Sequence, residues 1–179
     1  MSLIKRTGFG QVEPNHLSAQ RTSQIYAQLP ANKDLAILEN GQFVKYDYAN
    51  KEVNLTGKGE FMLVLNEVKL YDENRESYKD FAMISKNYLG GEMVPRLFKT
   101  NVGDIYTTNC VGGANTSRDA EYAGIELVEG DLLKVDAATG YLVKETATLA
   151  DSTETMLWEV VKVYNMADLQ PAVKIMRVK

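Results

Sequence analysis

Along most of this chain the apolar positions fall in short runs cut by turn dipeptides, the pattern of strands and hairpins rather than of amphipathic helices. Asn40-Gly41 is the clearest turn, with Leu35-Ala36-Ile37-Leu38 before it and Phe43-Val44-Lys45-Tyr46 after it. Asn-Gly supplies the positive φ angles that a type I′ hairpin turn requires. Asn50-Lys51 and Thr139-Gly140 mark two further turns. Scarce proline and runs rich in β-branched residues and tyrosine favour strands again.

The pattern repeats. Gly41-Gln-Phe-Val-Lys-Tyr-Asp-Tyr-Ala-Asn matches Gly130-Asp-Leu-Leu-Lys-Val-Asp-Ala-Ala-Thr at an offset of 130 − 41 = 89 residues. Further on, Leu63 to Tyr71 matches Met156 to Tyr164, now 164 − 71 = 93 apart, and Phe81 to Lys86 falls on Lys174 to Lys179 at the same offset. Because strand side chains alternate faces, Val44 and Tyr46 should face a core as Leu133 and Val135 do, with Lys45, Asp47, Lys134 and Asp136 outside. Trp158 aligns with the apolar Leu65 and is expected in the core. Polar residues at Asn66 and Glu159 interrupt the alternation at equivalent places, which predicts a β-bulge or a corner there.

Residues 1–34 read differently, with Gly8, Gly10, Pro14 and Pro30 as breakers and only scattered apolar positions. A short helix near Ser18 to Leu29 would have a thin apolar face. The segment is expected to be an extended N-terminal arm. Lys5, Arg6 and Arg21 against Glu13 make residues 1–24 basic by 3 − 1 = +2, on a chain of net charge −4. The connection between the repeats should hold a strand pair, Arg96 to Lys99 and Asp104 to Asn109, then a glycine-rich loop over residues 111–117. The predicted fold is therefore mainly β: a small β-barrel or β-sandwich spanning residues 35–179, built from tandem repeats 35–86 and 124–179, with the arm in front.

Composition narrows the chemistry. With 45% hydrophobic and 25% charged residues the chain is of ordinary globular type, and its acidity argues against the basic stripe of a general nucleic-acid binder. No apolar run is long enough for a secretory h-region in the first 24 residues or for a membrane-spanning helix, so neither is expected. Cys110 is the only cysteine and His16 the only histidine, too few for an intrachain disulfide or a zinc site of nitrogen and sulfur ligands. His16 lies in the predicted arm, a poor support for a nucleophilic triad. The acidic run from Asp72 lacks the glycine of a calcium loop, with Ser77 in its place, and Met83 stands where the bidentate glutamate belongs. Gly57-Lys58-Gly59 and Gly112-Gly113 have no strand-loop-helix context for phosphate. Glu129 and Asp131 could serve as a carboxylate pair for glycoside hydrolysis, but flanking a turn they read as solvated acids. No enzyme and no cofactor is expected.

The run Glu129-Gly130-Asp131-Leu132-Leu133-Lys134-Val135-Asp136 with Thr139-Gly140, and its cousin Asn40 to Asp47, resembles the strand-turn signature of tailed-bacteriophage head decoration proteins, also called cement or auxiliary capsid proteins. The layout is similar over nearly the whole chain. The resemblance implies a non-enzymatic structural protein of the virion, made in the host cytoplasm and bound to the outer capsid surface. Its partner would be the major capsid protein, with homo-oligomeric assembly and no direct contact with nucleic acid or membrane. An unpatterned arm can order on a partner by strand addition, which makes Lys5, Arg6, Phe9 and Arg21 the candidate capsid contacts. The alternative is a receptor- or glycan-binding β-module of a phage fibre or adhesin.

Overall fold

A computed structural model describes residues 1–17, 28–66, 82–84, 93–112 and 124–179, and every regular element among them is a β-strand. The largest sheet has the order β12-β11-β13-β14-β9-β2, formed by Leu142–Lys144 (β12), Leu132–Val135 (β11), Leu157–Asn165 (β13), Pro171–Arg177 (β14), Ile105–Thr108 (β9) and Val12–His16 (β2). A second sheet runs β5-β4-β6-β8, from Glu52–Asn54 (β5), Phe43–Asp47 (β4), Met62–Val64 (β6) and Leu97–Phe98 (β8). Two ribbons complete the set, Ser2–Ile4 (β1) on Ile125–Leu127 (β10) and Ile37–Glu39 (β3) on Ala82–Ile84 (β7). Mainly β is right. The barrel is not: the sheets stay open among the described residues, with β12 and β2 as separate edges.

The expected faces of both hairpins hold, since Val44, Tyr46, Leu133, Val135 and Trp158 are buried while Lys45, Asp47, Lys134 and Asp136 are partly exposed. The two hairpins feed different cores. Leu133, Val135 and Trp158 join the main cluster with Tyr106, Leu142 and Ile175, whereas Val44 and Tyr46 join a second one with Leu38, Val53 and Leu97. Phe43 and Leu63, one residue back along β4 and β6, turn the other way into the main cluster. This strand pair therefore carries adjacent apolar residues, as a sheet covered on both faces should.

The hairpins agree in register at the offset of 89 residues. Lys45 opposes Asn54 and Tyr46 opposes Val53, just as Lys134 opposes Val143 and Val135 opposes Leu142. The third strand agrees in order but not in spacing: Leu63 opposes Phe43 and Glu159 opposes Leu132, an offset of 159 − 63 = 96 instead of 93. Beyond it the correspondence stops, because β7 pairs with β3 while β14 lies between β13 and β9. The irregularity of β13 falls between Val160 and Lys162, just past Glu159. Strands β8 and β9 exist near their expected positions, but they pair with β6 and with β14 and β2, not with each other.

The first residues are not a free arm. Strand β1 pairs with β10 and β2 with β9, and Ile4, Phe9 and Leu17 are buried. Scattered apolar residues sufficed because the segment borrows its partners from distant strands. It needs only one side chain at each place it crosses a core. The helix considered over Ser18 to Leu29, the acidic run from Asp72 and the glycine-rich loop past Gly112 lie wholly or largely outside the described residues.

Candidate functional site

Of the residues singled out as capsid contacts, the structure exposes only Lys5; Arg6 and Phe9 are buried, and Arg21 lies outside the described residues. Phe9 packs with Ile37 and Ala82. The Arg6 Nη2 donates to Glu39 Oε2 at 2.9 Å, with both side chains shielded from solvent. Tyr141 Oη donates to the same oxygen at 2.5 Å, and the Gly10 N–H reaches Glu39 Oε1 at 3.3 Å. A cation with this partner, on the inside of the protein, is a tie between segments and not a surface contact. Nothing in the local sequence announces it, because its members are 33 and 102 residues apart.

Cys110 borders this tie. Burial pushes its thiol up to about 12, Arg6 opposing and Glu39 adding to the rise, so it stays protonated and unreactive near neutrality. His16 sits exposed at the end of edge strand β2. Glu129 and Asp131 do not form a catalytic pair. Asp131 accepts from Lys144 Nζ at 2.8 Å and from the Val128 N–H at 2.9 Å. Burial alone would raise its pKa, but these bonds and the Lys144 charge hold it below the ordinary value. Among the described residues no group of three or more His, Cys, Asp and Glu is placed to hold a metal ion.

Among the described residues, polar groups converge on a cleft of about 400 Å³ beside the first hairpin. The segment leading to β3 lies along β5, with the Asn32 N–H on the Val53 carbonyl and the Val53 N–H on the Pro30 carbonyl, each at 2.8 Å. That places Asn32 and Asp34 opposite Asp47, Asn50, Glu52 and Asn54 of the hairpin. Ala137 and Ala138, from the turn of the second hairpin, close one side, and Leu35 and Leu55 supply apolar floor. Asp47 and Glu52 are directly opposed in the β4–β5 register, and like charges so placed repel. Amides separate them: Asn54 Nδ2 donates to Asp47 Oδ2 at 3.3 Å and to Glu52 Oε1 at 3.1 Å, and Asn32 Nδ2 donates to the same Glu52 oxygen at 2.7 Å.

The Asn50 backbone N–H, then its side chain, hold the Asp47 carboxyl below its usual range, so it is a hydrogen-bond acceptor near neutrality and unsuited as a proton donor. A cleft of carboxylate and amide oxygens over an apolar floor can bind hydroxyl or ammonium groups. None of its residues was picked out from the sequence as a site residue, Asp47 being read only as an outward position and Asn50 as part of a turn; the one signal is the density of Asn, Asp and Glu between positions 32 and 54. No family model, no curated protein and no solved structure matches this chain.

Proposed function

We propose that this chain is a non-enzymatic structural protein that binds the outer surface of a phage capsid and stabilises or decorates it, with the major capsid protein as partner. The supporting observation is the strand-turn run of the resemblance. It forms twice, as a left-handed glycine, a strand and a turn closed on an aspartate. Gly41 and Gly130 both have positive φ, and Asp47 and Asp136 each accept a backbone N–H two residues on. The matching hairpins also support descent of the two halves from one β-unit. The capsid contact is drawn from the exposed surface of the β-structure, to which Lys5 belongs and the buried Arg6 and Phe9 do not.

The cleft favours a second reading, a glycan-binding module, because its acceptors and apolar floor complement the hydroxyls and C–H faces of a sugar. Co-sedimentation of the purified full chain with undecorated phage heads, beside titration with neutral oligosaccharides, separates the two. Saturable binding to heads that survives excess oligosaccharide supports decoration. Saccharide binding that is lost in Asp47→Asn, with no affinity for heads, replaces it with the second reading.

A further inference from the structure

The β13–β14 hairpin carries two features that its own fold does not use. At its tip Leu169 has a φ of 66°, left-handed backbone that a leucine adopts only under strain, and it is 78% exposed. The other left-handed positions among the described residues are glycines, Lys51 excepted. The loop itself requires the conformation. The Met166 N–H donates to the Gln170 carbonyl and the Leu169 N–H to the Met166 carbonyl, each at 2.9 Å, which puts Leu169 at the place where such a hairpin loop turns left-handed. Glycine would take it without strain, and at this exposure the leucine side chain adds little to any core.

The tip is pinned from two distant stretches of chain. Asp168 Oδ2 accepts from Gln11 Nε2 at 2.9 Å and from Gln170 Nε2 at 2.7 Å. Gln170 Oε1 accepts from the Thr7 N–H and from Asn109 Nδ2, each at 3.1 Å. Leu169 is therefore presented on a fixed backbone, which lowers the ordering cost of binding through it.

Below the tip, Lys162 and Lys174 are directly opposed on neighbouring strands. They share the sheet face turned away from the main core, since the next pair along, Val163 and Val173, packs on that core. Like charges so placed repel. Neither lysine forms an ion pair among the described residues, where Lys99, Lys134 and Lys144 each do. Lys162 Nζ lies 5.7 Å from the Tyr164 ring centroid, a contact that leaves its charge in place.

We infer that this hairpin is the element by which the chain grips a protein partner, with Leu169 seated in an apolar pocket and Lys162 and Lys174 meeting carboxylates beside it. An acidic rim fits because carboxylates between the two lysines replace their repulsion with attraction. Two lysines are too few for nucleic acid, where a tight complex makes about 6–10 phosphate contacts, and one leucine is too little apolar surface for a membrane. The inference names a contact surface for the decoration reading and rests on that reading for its partner.

The test is co-sedimentation of the full chain with undecorated phage heads over concentration and salt series, with thermal unfolding and light scattering alongside. Leu169→Gly should melt at or above wild type, because the strain is relieved, yet bind heads about tenfold or more weakly. Lys162→Gln/Lys174→Gln should also melt at or above wild type, bind more weakly and lose part of the salt dependence. Wild-type affinity in either variant overturns the inference and leaves decoration standing. So does a lower melting point in Leu169→Gly, which would make the leucine a support of the fold. Unchanged head binding with self-association lost in Leu169→Gly makes a second copy the occupant instead. A wild-type chain that does not bind heads overturns decoration and this inference together.

Discussion

Glu39 is fully buried and makes its bonds to Arg6, Tyr141 and the Gly10 backbone, which come from three separate stretches of chain. Breaking a buried ion pair by removing one partner is strongly destabilising, so Glu39→Ala should lower stability by about 3–5 kcal/mol in denaturant titration. Cys110 makes a prediction about pH. Its thiol ionises at about 12 in the folded state against a reference of 9.0, and Tyr106 and Tyr141 are raised in the same sense, chiefly by burial. Below pH 9 both states hold the thiol proton and its contribution is complete. Above that the unfolded thiol alone ionises, and the contribution is lost progressively up to the folded value. The melting temperature should therefore fall steeply between pH 9 and pH 11, and Cys110→Ala should fall less steeply. Identical alkaline profiles would show that the thiol proton does not contribute.

At the scale of the element, turn chemistry was the most legible signal, and it stays legible because it is local. Gly41, Gly130 and Gly140 all take the positive φ that their turns demand. What each glycine touches was not legible. A Cβ on Gly140 would stand 2.2 Å from the Phe43 carbonyl oxygen across the molecule, while one on Gly130 would meet nothing within 4 Å. Alanine at either position adopts left-handed backbone at about 1–2 kcal/mol. Gly140→Ala adds a clash with fixed backbone, so its melting point should drop well below that of Gly130→Ala; equal losses would mean that the turn can move away from β4. The partners of β8 and β9 were illegible for the same reason. Each strand reads correctly from its own residues, yet β8 completes the sheet of the first hairpin and β9 that of the second. The cleft was hidden too, since it needs Asn32, Asp47 and Ala138 in one place.

The whole molecule depends on its first residues in a way their sparse pattern does not reveal. Strand β1 lies on β10 in the second half, Arg6 and Gly10 bind Glu39 in the first, and β2 extends the large sheet beyond β9. Gln11 ties this segment to the β13–β14 turn, its Nε2 donating to Asp168 Oδ2 at 2.9 Å. The segment thus joins both halves, and the Gly140 contact on Phe43 joins them again. Deleting residues 1–11 would uncover Ile125 and Leu127, Ile37 and Ala82, and take the counter-charge from Glu39. Buried Ile4 and Phe9 would each contribute about 1.5–3 kcal/mol by burial alone. With about 3–5 kcal/mol for the broken ion pair, the loss is comparable to a total stability of about 5–15 kcal/mol. The truncated chain should lose its cooperative thermal transition and the near-ultraviolet signal of Trp158, where a detachable arm would leave both intact. A truncated chain that melts as the full one does would return the segment to the role of a surface contact.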